Sequence, residues 1–182
     1  MLQTLIIKIQ ALDLKGCIYL NQLSRNHHVA LFFKLISRLG DGTFWFAILC
    51  LIYLSQPKSY YIQVMYLASA SFLTTLLYKA LKHKTTRPRP YQVHQVIILG
   101  ERPLDHFSFP SGHTLHAVIS TIVFGYIQPA LLLIMLPFTV LVAISRMVLG
   151  LHYPTDVLVG ALLGTLLSFG VIGFASYAQI LL

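Results

Sequence analysis

The sequence predicts an all-α, polytopic membrane helix bundle of five to six spans with an N-terminal amphipathic segment, and three observations carry that expectation. Of its 182 residues 57% are hydrophobic and only 10% charged, with a mean hydropathy of +0.75, whereas soluble domains hold about 25% charged and about 45–50% apolar residues. Two stretches, 114–145 and 157–182, lack Asp, Glu, Lys and Arg altogether, and a helix needs about 20 such residues to cross a bilayer core. The charged residues gather towards the ends of the apolar stretches. This composition excludes a water-soluble globule, a disordered chain and a disulfide scaffold. Residues 1–182 are expected to form a single membrane domain, with 1–39 an amphipathic, interfacial segment and 40–178 the helix bundle.

At the N-terminus the apolar run before Lys8, Asp13 and Lys15 is short and no small-residue cleavage site follows it, so no removable signal peptide is expected. Residues 2–39 mix apolar positions with Lys8, Asp13, Lys15, Arg25, Lys34 and Arg38, which suits helices lying in the membrane interface, with a sixth span over 2–20 left open. The first span is expected over 43–56, short and led in by Gly40-Asp41-Gly42, and the second over 59–81, where Lys79 near its end would snorkel. Residues 114–145 are too many for one span, and Gln128-Pro129 supplies the turn that divides them into two. The fifth span covers 157–182, where Gly160, Gly164, Gly170 and Gly173 would permit close helix packing on one or more faces. Only 82–113 is a long polar connection, and Cys17 and Cys50, far apart and without a paired motif, read as apolar filler.

Consecutive spans alternate direction, so the end of the second (Lys82), the start of the third (His113), the end of the fourth (Arg146) and the start of the fifth (Asp156) fall on one side of the membrane. Three fragments meet there: K-H-K-T-T-R-P-R-P from 82, F-P-S-G-H-T from 109 and S-R-M-V-L-G-L-H-Y-P-T-D from 145. Together they suit an anionic, lipid-borne substrate. Taken singly the residues say less. Lys82, Lys84, Arg87 and Arg89 are what any cationic helix flank looks like, and Asp156 after Pro154-Thr155 suits an early helix position. His113, His116, His152 and Asp156 could be drawn as a metal site, but the surrounding cations would repel the ion, so no metal is expected. His27, His28, His83, His94 and His106 default to interface or loop positions, and Tyr60, Tyr61 and Tyr66 to interfacial packing. Thirteen Lys and Arg against five Asp and Glu give a net charge of +8; span flanks facing anionic headgroups account for it better than nucleic acid, which is not an expected partner.

Read together, Lys82 with Arg89-Pro90 (K-x6-R-P), Pro110-Ser111-Gly112-His113 (P-S-G-H) and Ser145-Arg146 with His152 and Asp156 (S-R-x5-H-x3-D) match at every signature position. The chain thereby resembles the type 2 phosphatidic acid phosphatase (PAP2) superfamily over about residues 40–178. The resemblance implies a metal-independent phosphatase without a cofactor, and the composition points to the membrane lipid-phosphate branch rather than the soluble acid phosphatases or vanadium haloperoxidases. It implies further that His152 is the nucleophile that forms a phosphohistidine, that Asp156 holds the other ring nitrogen and that His113 is the general acid and base. Lys82, Arg89 and Arg146, with Ser111 and Gly112 at a helix start, would bind the phosphate. The substrates so implied are membrane lipid phosphates: undecaprenyl diphosphate foremost, and phosphatidylglycerol phosphate, phosphatidate or lipid A phosphates. Counting basic residues alone puts the site in the cytoplasm; the resemblance implies the periplasmic or outer face of a bacterial inner membrane, and that is the expectation adopted. The alternatives are a lipid phosphotransferase using the same residues, for example towards lipid A, and a non-catalytic lipid-phosphate binder. The charges at span ends rather than mid-membrane argue against a transporter.

Overall fold

The computed structural model describes residues 2–82 and 85–180, with residues 2, 59, 74, 75, 77, 79 and 81 described for the backbone alone. The expectations for His83, for Lys84 and for a snorkelling Lys79 side chain lie outside what is described. Helices α1 (Leu2–Asn21), α2 (His27–Leu39), α3 (Thr43–Ser55), α4 (Tyr61–Lys82), α5 (Pro90–Val93), α6 (Gly112–Ile127), α7 (Leu132–Val148) and α8 (Pro154–Tyr177) follow one another, with no strand among the described residues.

Helix α8 shows the solvent for which these elements are built. Gly160, Gly164, Ser168, Val171 and Ala175 are buried along one stripe, while Leu158, Leu162, Leu166 and Phe169 are exposed along another. A helix apolar on both its packed and its open face suits hydrocarbon on the open side. The buried stripe lies against α6: a Cβ on Gly160 would stand 2.5 Å from the Ser111 carbonyl oxygen, and one on Gly164 2.8 Å from that of Leu115. Gly170 and Gly173 have nothing within 4 Å of an added Cβ, so only the first two of the four glycines serve close packing.

The turn expected at Gln128-Pro129 divides α6 from α7, and every apolar stretch forms a helix. By length and hydropathy, two helices among the described residues are able to cross a bilayer alone, Pro129–Val148 and Pro154–Tyr177; a third span results if α2 and α3 count as one, and Tyr61–Leu73 and Gly112–Ile127 are shorter apolar helices. With 16 residues α6 reaches about 24 Å, less than the roughly 30 Å of hydrocarbon. The span expected over 43–56 is thus one limb of a pair, bent by 50° from α2, a helix expected in the interface. The bend follows from Gly40-Asp41-Gly42: Gly42 has φ +143°, where a side chain is strained, and it starts α3. Helix α2 begins at Asn26, whose side chain accepts from the backbone N–H of His28 and Val29, and it packs on α7 through Ile36 and Ser37.

Helix α1 buries two polar residues and exposes several apolar ones. Asp13, Cys17 and Asn21 are buried on its inner stripe, while Leu5, Ile6, Ile9, Leu12 and Tyr19 are exposed. The Asn21 amide donates to the carbonyls of Ile98 and Val148, 2.9 Å each, and accepts from the Ile98 N–H at 2.8 Å, which ties α1 to the polar loop and to the end of α7. The main core lies between α3, α4, α6 and α7, from Trp45, Ile48, Ile52, Leu67, Leu115, Ile119, Met135, Phe138 and Val142. The helix ends above this core build the site.

Candidate active site

Lys82 ends α4, Arg89 precedes Pro90 at the start of α5, His113 lies in the first turn of α6, Arg146 in the last turn of α7, and His152 in the turn between α7 and α8. With Gly112 these residues line one cavity of about 720 Å³, so fragments far apart in sequence do meet. Tyr78, Phe72, Leu104 and Phe107 give it an apolar wall. A Cβ on Gly112 would run into the Tyr78 hydroxyl and ring, so only glycine lets α6 start against this wall.

The cations are not helix flanks. Lys82, Arg89 and Arg146 are 6%, 1% and 2% exposed, whereas a snorkelling side chain keeps its head in water. Asp105, absent from the sequence-based expectation, meets two of them: its carboxylate stands 2.8 Å from Lys82 Nζ and 2.7 Å from Arg89 Nη2. Arg89 Nη1 also donates to the Leu151 carbonyl at 2.8 Å. Arg146 Nη1 donates to Ser37 Oγ, while its buried Nε has no protein partner. Such an orphaned donor on a cavity wall fits a site that takes an anion.

His152 is 1% exposed, and its Nε2 lies 3.3 Å from Arg89 Nη1. A guanidinium only donates, so Nε2 bears the lone pair and the ring proton sits on Nδ1. Burial, reinforced by the charges of Arg89, Arg146 and Lys82, holds the imidazole well below its ordinary pKa, so it is neutral. Its Nδ1 makes no hydrogen bond and lies 3.6 Å from Asp156 Oδ2, too far for one but facing it. His113 Nε2 pairs with Asp41, which lies in the bend between α2 and α3 and was also missed by the sequence reading.

Asp156 is fully buried and does not line the cavity. It caps α8, accepting from the Tyr153 N–H at 2.8 Å, as its early helix position suggests. Ser108 Oγ donates to the same oxygen, and Arg87 Nη1 reaches the other at 2.6 Å. Ser111 departs from expectation. It is buried outside the cavity lining, its N–H donates to the Asp156 carbonyl at 3.0 Å, and its hydroxyl pairs with that of Thr114. Its N–H is spent on joining α6 to α8 and its hydroxyl on Thr114 within α6, which leaves Gly112 as the residue of that pair facing the cavity.

Of the five acidic residues of the chain, Asp13, Glu101, Asp105 and Asp156 stand in ion pairs with Lys or Arg, and Asp41 is hydrogen-bonded to His113. That scarcity was the signal available for finding Asp41 and Asp105, because an acid kept in so apolar a chain needs a partner. Nothing comparable marks Tyr78, Ser108 or Ser37.

Residues 63–180 match the model of the PAP2 superfamily. The chain is 40% identical over 117 residues to phosphatidylglycerophosphatase B of Bacillus subtilis, covering 54% of this chain and 51% of that protein. It is 32% identical over 99 residues to undecaprenyl-diphosphatase of Sulfolobus acidocaldarius, covering 53% and 48%. The chain thus spans about half the length of the curated relatives it matches. Among solved structures it resembles LpxE of Aquifex aeolicus, with a TM-score of 0.75, 28% identity and coverage of 89% of this chain and 95% of that one. It also resembles a transmembrane phosphatidylglycerolphosphate phosphatase of PAP2 type from Bacillus subtilis, with a TM-score of 0.70, 28% identity and coverage of 93% and 87%. The family match spans well over half of the chain and includes Lys82, Arg89, His113, Arg146, His152 and Asp156, the residues on which the cavity and its buried supports are built. This integral membrane protein is a member of the PAP2 superfamily.

Proposed function

We propose that the protein is a metal-independent lipid phosphate phosphatase that works through a phosphohistidine on His152, with undecaprenyl diphosphate as its principal substrate and phosphatidylglycerol phosphate and phosphatidate handled in the same site. The observation that carries this reading is the buried His152, its Nε2 3.3 Å from Arg89 Nη1 at the wall of a cavity shared with three buried cations. The names of the curated relatives, a phosphatidylglycerophosphatase and an undecaprenyl-diphosphatase, support the substrate class.

In the first step His152 Nε2 attacks phosphorus, the bond from phosphorus to the leaving oxygen breaks, and that oxygen takes a proton from His113. The charge on the equatorial oxygens meets Lys82, Arg89 and Arg146, which are already gathered at the cavity wall. As Nε2 gains its bond the ring becomes an imidazolium, and Asp156, facing Nδ1, stabilises it in the way a triad carboxylate does. Water then attacks phosphorus, His113 accepts its proton, the P–N bond breaks, and inorganic phosphate leaves with Nε2 restored. Protein cations supply the charge that a metal would otherwise bring. The apolar wall at Phe72, Leu104 and Phe107 suits a substrate whose tail stays in the bilayer, and the family resemblance supports a site on the outer side of a bacterial inner membrane.

The test is phosphate release by the detergent-purified protein in EDTA from undecaprenyl diphosphate, phosphatidylglycerol phosphate, phosphatidate and a soluble sugar phosphate in parallel. Release from the lipids, inhibition by vanadate and its loss in His152→Ala are expected, and the ranking names the substrate. Full activity in His152→Ala sinks the mechanism. Release only when an acceptor lipid is added makes the protein a phosphotransferase, and silence in both makes it a binder.

A further inference from the structure

Arg87 belongs to none of the three motif blocks' signature positions and does not line the cavity. Its guanidinium nevertheless makes three hydrogen bonds behind the site. Nη1 donates to Asp156 Oδ1 at 2.6 Å and to Thr155 Oγ1 at 2.9 Å, while Nη2 donates to Asp13 Oδ2 at 2.7 Å. The plane stacks on the Tyr153 ring, 4.1 Å from its centroid. Asp13, 3% exposed, accepts in turn from the Thr155 N–H at 2.9 Å and from the Thr155 hydroxyl. Two buried carboxylates, one from α1 and one from α8, therefore share one guanidinium.

We infer that Arg87 is a positioning residue for Asp156, and that Asp13 holds Arg87 in place, so that the N-terminal helix completes the active site from behind. The inference rests on the phosphohistidine reading above. Asp156 has two oxygens to place. Arg87 takes Oδ1, while the Tyr153 N–H and Ser108 hydroxyl converge on Oδ2, the oxygen that faces His152 Nδ1. Ser108 belongs to the same assembly, since its N–H donates to the Arg87 carbonyl at 2.9 Å. Without the guanidinium, Asp156 Oδ1 and Asp13 Oδ2 would each lose a charged donor in a buried setting. A rotated Asp156 cannot stabilise the imidazolium that forms when His152 attacks. Arginine suits the task because its fork donates in two directions at once, which a lysine cannot do. Asp13 lies outside the part of the chain that matches the family model, so this contact gives the N-terminal helix a part in the chemistry.

The experiment compares wild type, Arg87→Met, Arg87→Lys and Asp13→Ala for phosphate release from phosphatidylglycerol phosphate and for inhibition by vanadate, with Arg87→Met repeated in an Asp156→Asn background. Arg87→Met is expected to lower kcat by about 10- to 100-fold, the range typical of lost supporting contacts, with KM and vanadate inhibition within about threefold, the sign of an interaction made in the transition state. Arg87→Lys should recover part of the loss, and in the Asp156→Asn background Arg87→Met should cost less than about threefold. A normal kcat with raised KM and weakened vanadate inhibition would make Arg87 a phosphate contact and overturn the proposal. A loss undiminished in the Asp156→Asn background overturns it too. If Arg87→Met does not survive extraction as folded protein, Arg87→Lys and Asp13→Ala decide: lower kcat at unchanged KM supports the role, and wild-type kcat in both overturns it. The wild type is measured first, because a wild type without turnover overturns the phosphatase reading itself, whereas an active wild type with unaffected variants overturns only the role of Arg87.

Discussion

Asp105 holds the place that a substrate phosphate would claim. Its two oxygens bridge Lys82 and Arg89, the cations proposed to bind phosphoryl oxygens, and its side chain is 42% exposed, so it is free to give way to the open side of the cavity. A carboxylate that must be displaced competes with substrate. Asp105→Asn, which keeps the shape and removes the charge, is therefore expected to lower KM and the vanadate inhibition constant by about three- to tenfold, worth up to roughly 1.4 kcal/mol. A raised KM in that variant would mean that Asp105 helps to seat the substrate instead. Stability should respond as well. Burial pushes the Asp105 carboxyl up, but the hydrogen bond and charge of Lys82 and the charge of Arg89 outweigh it and hold the group below its ordinary value. A depressed acid stabilises the fold above its unfolded pKa, near about 4, and that contribution disappears as pH falls through the depressed folded value. Thermal melts from pH 5 down to pH 3 should accordingly show a smaller drop for Asp105→Asn than for the wild type.

Among the elements, the packing of α6 on α8 sets the distance between the two halves of the site. The Ser111 N–H donates to the Asp156 carbonyl across this contact, and one turn further along α8 Gly160 leaves room for the Ser111 carbonyl. Gly160→Ala would press a methyl group onto backbone rather than onto a pliable side chain. The expected cost is about 1–3 kcal/mol, the usual penalty for overpacking, with a lower melting midpoint and reduced turnover. Gly170→Ala and Gly173→Ala, where nothing lies within 4 Å, should leave both unchanged and serve as controls. The four glycines look alike in sequence, because the repeat of small residues does not say which of them meets another backbone. Helix α1 was hard to read for a related reason: Asp13 and Asn21 are buried while Leu5, Leu12 and Tyr19 are exposed, and Lys8 and Lys15 are exposed as well, so no simple apolar face marks its inward side. By contrast, the cluster of Lys82, Arg89, His113, Arg146 and His152 was legible, because motif spacing fixed positions within each block and alternation of spans fixed the side on which the blocks meet. Their partners Asp41, Asp105 and Ser108 were not, since each lies in a loop whose path no periodicity constrains.

At the scale of the whole molecule, the distribution of charge bears on which way the site faces. Basic residues crowd the site side and, read as free flanks, would pull it into the cytoplasm. In the structure six of them are engaged. Lys34 and Arg38 flank Glu101 at 3.8 and 2.9 Å, Lys82 and Arg89 share Asp105, Arg87 spans Asp13 and Asp156, and Arg146 is buried. Their positions follow from building an anion site, so their number is a poor guide to orientation, and the outward-facing site proposed above stands on the family instead. Arg102 in the site loop and Lys58 between α3 and α4 are both exposed, and α4 separates the two ends of the bundle on which they sit. In a Cys50→Ser background, where the remaining Cys17 is buried, a membrane-impermeant maleimide applied to intact cells should label Arg102→Cys, and should label Lys58→Cys only after permeabilisation. The reverse pattern would turn the cavity to the cytoplasm, confine its substrates to lipid phosphates of the inner leaflet, and remove undecaprenyl diphosphate released on the outer face from the substrates it could reach.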